Sequence, residues 1–212
     1  TTSTISYTTP LCTSDVSTYA PTLVGATGAS NYTAVPVGLT INSTTGVITP
    51  STSLPGTYTI TYLPNGVGAC PTIPTPTTVT VTAAPTASIS YAGTPYCTTV
   101  TASQAVMLTG TNAYTGGTFT STAGLTLDAT TGAIVPSTSV PGTYTVTYTI
   151  PASAGCASVP VTTTVTITGA PTATISYAGT PFCNNNTVPQ AVTLTGTYAY
   201  TGGTFVSTAG LT

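Results

Sequence analysis

An all-β chain built from repeated sandwiches is what this sequence predicts, and three observations predict it. The chain copies itself with a period of 86 residues, from Pro85 to Pro171. Within each copy, apolar residues alternate with Thr in short runs, the period of a strand with one buried face. Pro, Gly, Asn and Asp punctuate those runs, and no window holds a helical period.

The repeat sets the domain organisation. Thr86–Thr126 and Thr172–Thr212 are identical at 31 of 41 positions. The first copy is more diverged, yet Gly38–Tyr62 aligns with Gly124–Tyr148 without a gap. Residues 1–85 and 86–171 are therefore expected to be two full repeats, and 172–212 the N-terminal half of a third. A half unit cannot bury a core. The expectation is that the chain continues past Thr212, ahead of the rival in which a neighbouring molecule donates the missing strands.

Seven strands are expected per repeat, near Ile89, Val106, Phe119, Leu125, Ile134, Val146 and Val165. In Gly142–Ile150, Tyr144, Val146, Tyr148 and Ile150 alternate with Thr143, Thr145, Thr147 and Thr149, whose branched Cβ favours extended backbone while the hydroxyl meets water. Val161, Val165 and Ile167 point inward from the last strand, and Val106 and Leu108 from the run Gln104–Gly110. Val140-Pro141-Gly142-Thr143 fits a type II turn with Gly at positive φ. Asn42–Gly46, Asp128–Gly132 and Thr115–Thr118 read as further loops. Seven strands in about 86 residues is the arithmetic of an immunoglobulin-like β-sandwich. Strands of about eight residues span about 26 Å, so a linear rod of such units advances by about 40 Å per repeat.

Composition excludes most chemistry. The 212 residues include no Lys, Arg, His or Trp and two acids, Asp15 and Asp128, for a net charge of −2. No cation can neutralise phosphate, which removes nucleic acid and anionic membranes as partners. The hydrophobic fraction is 40% and mean hydropathy +0.38, too apolar for ordinary disorder. No apolar run approaches the ~18 residues of a membrane helix, and the first residues do not read as a basic n-region followed by an h-region. Asp15 and Asp128 are expected to be solvated turn residues, one per repeat and unable to act as an acid–base pair. No catalytic, cofactor or metal site is expected.

The five cysteines occupy two repeated positions: Cys12, Cys97 and Cys183 are one, Cys70 and Cys156 the other. They point to disulfides and an oxidising compartment, with the partner of Cys183 outside the sequence. Without His or CxxC spacing, zinc is not expected. Pairing within a repeat, Cys12–Cys70 and Cys97–Cys156, closes loops of about 60 residues and adds about 4 kcal/mol. This is the default. Strand parity raises the rival that Cys12 meets Cys156 across the junction, leaving Cys97 and Cys183 for repeats beyond Thr212.

Tyr58 and Tyr144, after Pro-Gly-Thr, are expected to be tyrosine corners rather than sugar-stacking rings. Tyr32, Tyr114, Tyr198 and Tyr200 lie off the core pattern and are the candidates for contacting glycans or partners, against ordinary loop packing. Thr-x-Thr runs such as Thr162–Thr168 are read as solvated strand faces rather than ice-binding arrays. Asn31, Asn42 and Asn185 satisfy the N-glycosylation pattern. Without Lys, isopeptide cross-links are impossible, and an ester involving Gln104 or Gln190 is a remote alternative.

The stretch GLTLDATTGAIVPSTSVPGTYTVTYTIP (Gly124–Pro151) resembles bacterial immunoglobulin-like domains, in which a Gly-Leu strand, a loop ending in Thr-Gly and a Pro-Gly-Thr-Tyr turn precede the penultimate strand. ISYAGTPYC (Ile89–Cys97) and the Cys156 segment look like tandem units of very large Bacteroidota surface proteins, gliding-motility-associated adhesins among them. The resemblance implies an exported, non-enzymatic adhesin, stalk or surface filament. Its partners would be neighbouring repeats, other copies in a filament, or surface glycans. The chain lacks the core Trp of antibody domains and the acidic clusters that calcium-rigidified arrays require.

Overall fold

The structure, a computed structural model, describes residues 3–25, 30–64 and 73–209. The first repeat forms β1 (Thr4–Ser6), β2 (Leu11–Cys12), β3 (Thr22–Val24), β4 (Ser30–Val35), β5 (Gly56–Pro64) and β6 (Thr75–Thr82). The second forms β7 (Thr86–Ser90), β8 (Tyr96–Cys97), β9 (Met107–Thr111), β10 (Thr118–Ser121), β11 (Gly142–Ile150) and β12 (Val159–Thr168). The third contributes β13 (Thr172–Tyr177) and β14 (Val192–Thr197).

Sheet order repeats with the sequence. Strands β1 and β3 pair, and β2-β6-β5-β4 make a four-stranded sheet; β7 pairs β9, and β8-β12-β11-β10 make its counterpart. β13 pairs β14. In both four-stranded sheets the short strand runs parallel to the last one, with Leu11 beside Val81 and Tyr96 beside Ile167.

Two compact units divide the chain. One holds Thr1–Ser88, Leu108–Thr118 and Tyr148–Val161; the other holds Ile89–Met107, Phe119–Thr147 and Thr162–Thr212. In the first, Ile5 and Tyr7 meet Leu11, Tyr32, Ile60, Tyr62 and Val79 in one core, joined by Ile48. Residues of both sheets thus share a single apolar interior, the defining feature of a sandwich. The alternation does what it predicts on β11, where Tyr144, Val146, Tyr148 and Ile150 are buried and the intervening Thr are not. On β12, Val165 and Ile167 are buried while Val161 is only half-buried.

Several expectations are corrected. The strands near Leu125 and Ile134 reduce to bridges, Leu127 with Ile134 and Gln104 with Ile134. The Asp128 turn interrupts one end, and Pro136, which opens a 3-10 turn over Pro136–Thr138 and has no N–H, stops the other. The same turn recurs at Pro50–Thr52. Gly142 is not at positive φ, so no type II turn forms; it is the first residue of β11 and lies against the Tyr144 ring, where a Cβ would come 3.4 Å from the hydroxyl. Strand β8 was not expected at all.

The third repeat is bare. Ile175 is 56% exposed and Phe205 59%, whereas their counterparts Ile89 and Phe119 are 6% and 3% exposed. Residues 127–171, which follow the equivalent position in the second copy, supply Ile134, Val146, Tyr148, Val165 and Ile167 to the buried set there.

Candidate functional site

The tyrosine candidates separate on burial. Tyr32 is a core residue, 3% exposed, with its ring centroid 5.3 Å from that of Tyr62. The expectation that Tyr32 lies off the core pattern is corrected: the alternation of β4 turns it inward opposite Tyr62. Tyr114 is half-buried and folded over Gly110, where a Cβ would come 2.6 Å from its Cγ; Tyr200 lies over Gly196 in the same way, at 2.7 Å. Both glycines leave room for a ring, which is loop packing. Tyr198 differs: it is 58% exposed, at φ 58°, with its ring over Gly169. Its counterpart Asn112, at φ 60°, instead donates Nδ2 to the Ala84 carbonyl at 2.7 Å. The side chains above the two linkers therefore change together with the linker residue: Asn112 with Ala83, Tyr198 with Gly169.

The corner tyrosines behave as expected. Tyr58 donates its hydroxyl to the Leu54 carbonyl at 2.6 Å and Tyr144 to Val140 at 2.5 Å. Gly38 and Gly124 sit at φ 127° and 107°, and a Cβ on either would come within 2.8 and 2.7 Å of that hydroxyl. The Gly-Leu and Pro-Gly-Thr-Tyr motifs are thus one device. A second pair of tyrosines closes the turns: Tyr7 donates to the Gly46 carbonyl at 2.7 Å and Tyr91 to Gly132 at 2.5 Å. Burial pushes Tyr7 well above the usual phenol range and Tyr91 up to about 12.

The acids are turn residues. Asp128 Oδ1 accepts the N–H groups of Thr130 and Thr131 at 2.9 and 2.8 Å, and its counterpart Asn42 does the same for Thr44 and Thr45. Asp15 accepts from Ser17 N–H at 2.8 Å and from the Tyr19 hydroxyl. The Tyr19 hydroxyl holds Asp15 below the usual carboxylate range, and the Thr131 and Thr130 N–H groups do so for Asp128. The amides of Gln104 and Gln190 close local turns on Ala102 and Val188, at 2.8 and 2.7 Å. Among the described residues no group of three or more His, Cys, Asp or Glu comes together.

The cysteines carry the site. Cys12 is bonded to Cys156, with Cα atoms 4.9 Å apart, inside the accepted range for a disulfide. The default within-repeat pairing is therefore corrected for Cys156, which joins a cysteine of the other repeat; Cys70 lies outside the described residues. The reason is β8 and its counterpart β2: after the first strand the chain crosses to the second sheet and runs parallel to the last strand, which carries the first cysteine to the end next to the linker. Around the bond, Ser153 and Cys156 exchange both backbone hydrogen bonds at 3.0 and 2.9 Å, forming a tight turn with Gly155 at φ 81°. Cys156 Sγ also lies 3.8 Å from the Ala83 carbonyl of the linker. Cys97 and Cys183 carry free thiols.

Sequence reading missed the buried serines. Ser53 and Ser139 each accept an N–H, from Thr40 and Thr126 at 2.9 Å, and donate to the carbonyls of Thr49 and Val135. The signal was present in the recurrence of Pro-Ser-Thr-Ser at 50–53 and 136–139.

No protein family matches the chain. No curated protein matches it either. Similar backbones occur among solved structures. One is the C-terminal 282-residue fragment of intimin, in complex with the intimin-binding domain of the translocated intimin receptor (18% identity, 83% of this chain, 66% of that one, TM-score 0.49). Another is a SusE-like surface-located polysaccharide binding protein from the Bacteroides thetaiotaomicron heparin utilisation locus (13% identity, 79% and 34%, TM-score 0.33). A third is extracellular domains 3–5 of Drosophila OTK (12% identity, 77% and 61%, TM-score 0.36). The chain spans less than two thirds of the length of each. Among the described residues no helix is long and apolar enough to cross a membrane.

Proposed function

We propose that this chain is a non-enzymatic spacer: immunoglobulin-like repeats in a linear array, forming part of an extracellular bacterial adhesin, stalk or surface filament. The observation that carries the reading is the Cys12–Cys156 bond, which links two copies of one repeated sequence. A disulfide between copies transmits tension from one to the next without passing it through the linker at Ala83–Pro85. It also fits an oxidising compartment outside the cell. Two acids and no cations give a surface indifferent to salt, which suits an exposed filament. The repeats 1–85 and 86–171 each supply one unit of length, and 172–212 begins a third.

Small-angle scattering on chains of two, three and four complete repeats tests this. The reading predicts a maximum dimension that grows by about 40 Å per repeat. A dimension that stays nearly constant as repeats are added would overturn it.

A second reading, a glycan- or surface-binding module, is favoured by one observation, the exposed ring of Tyr198. Glycan-array binding lost in Tyr198→Ala would support it.

A further inference from the structure

The two first-type cysteines sit in the same frame. Cys12 pairs in parallel with Thr82 and Cys97 with Thr168. Thr13 N–H donates to Thr82 O at 3.0 Å, and Thr98 N–H to Thr168 O at 2.9 Å. The flanking hydroxyls match too: Thr9 and Thr94 accept from Thr80 and Thr166 N–H, at 3.0 and 3.1 Å. Thr13 and Thr98 accept from the linker N–H groups of Ala84 and Ala170, at 2.9 and 3.1 Å. Cys12 is 1% exposed beneath its turn, whereas Cys97 is only half-buried. The difference between the two positions is the occupant.

We propose that Cys97 and the strand and linker beside it form a docking site for a Ser-Ala-Gly-Cys turn of the kind found at Ser153–Cys156, borne by a third repeat completed in the manner of the second, and that Cys97 bonds its cysteine. This rests on the reading of the chain as a tandem array. The chemistry is thiol–disulfide exchange. The Cys97 thiolate attacks the sulfur of a turn cysteine held in a mixed disulfide; the old S–S bond breaks, the Cys97 bond forms, and the displaced partner leaves as a thiolate. One disulfide is consumed and one made. The Thr99 hydroxyl and N–H hold the Cys97 thiol below its ordinary range, which favours the attacking form.

The site also differs from the first junction in one respect. Where Ala83 lies beside the Cys12–Cys156 bond, the second linker has Gly169 with Tyr198 across it. The incoming turn therefore meets an aromatic wall in place of the Asn112–Ala84 hydrogen bond.

The test joins a copy of residues 127–171 after Thr212, which supplies the rest of the third repeat and its second-type cysteine. Non-reducing peptide mapping is expected to find Cys97 bonded to that added cysteine while Cys12–Cys156 persists. A third repeat that resists chymotrypsin, with Cys97 still alkylated by iodoacetamide or bonded to Cys183, overturns the docking site but leaves the array reading standing. A third repeat that is digested counts against the array reading instead. A second arm keeps the docking site testable in that case. In the chain as it stands, the peptide Pro151–Pro160 with its cysteine activated as a thiopyridyl disulfide is expected to modify Cys97 at least tenfold faster than a permuted peptide, with no such preference at Cys183. Equal rates for the two peptides at Cys97 overturn the proposal.

Discussion

Gly155 lies against the backbone of Pro10, so that a Cβ at Gly155 would come within 2.3 Å of the Pro10 carbonyl oxygen. The approach brings Cys156 to Cys12 and cannot be relieved by a side-chain rotation. Gly155→Ala is expected to lower stability by about 2–3 kcal/mol, from backbone strain at φ 81° plus the clash. Gly116 has the comparable φ of 80° and nothing within 4 Å. Gly116→Ala should therefore cost only the left-handed penalty, about 1 kcal/mol. Urea unfolding of the two variants compares them directly.

The Cys12–Cys156 bond spans 144 residues. In the chain-entropy picture, opening a loop of that length costs about 5 kcal/mol. Cys12→Ser, Cys156→Ser and the pair together should lose similar stability, since each removes the same cross-link. Thermal unfolding with and without reductant checks this, and reductant should leave the variants unchanged.

Tyr144→Phe removes the hydrogen bond to Val140 while keeping the ring over Gly142. The expected loss is about 1 kcal/mol, and the same for Tyr58→Phe against Leu54. Chemical denaturation of each single variant measures it, with Tyr198→Phe as a control expected to change nothing.

Stability should be flat in pH over a wide range. Asp15 and Asp128 have folded values below the usual carboxylate range. Their contribution is present above the unfolded value of about 4 and is lost as pH falls below it. At the other end, Tyr7 and Tyr91 hold their protons more tightly when folded. Above about pH 10 the unfolded phenols ionise first, so stability falls as pH climbs toward 12. Melting temperatures from pH 3 to 12 should show a plateau between about 5 and 9, and should barely respond to salt.

The fold was legible where one face of a strand is buried, because alternation then writes the burial into the sequence. Tyr144, Val146, Tyr148 and Ile150 are such a case. It was not legible at β8, whose two residues Tyr96 and Cys97 are too few to show a period. Nor was it at Ile134, where bridges replace a strand because Asp128 and Pro136 cut the pairing short. Gly142 was misread because Pro-Gly suggests a turn from local propensity alone, while the Tyr144 ring decides what that glycine is for. The cysteine pairing depended on β2, the equally short counterpart of β8 that carries Cys12, so an element of two residues decided the site. The repeat arithmetic did place Cys12 and Cys97 as equivalents, and their matching parallel registers with Thr82 and Thr168 agree with that.

Pulling the chain by its two ends tests most directly whether the repeats are covalently joined. With Cys12–Cys156 intact, the 144 residues between them cannot extend, and adding reductant should release them in further length of about 500 Å. Two separate releases of about 200 Å each, the signature of pairing within each repeat, would contradict the account. So would full extension of the chain before any reductant is added.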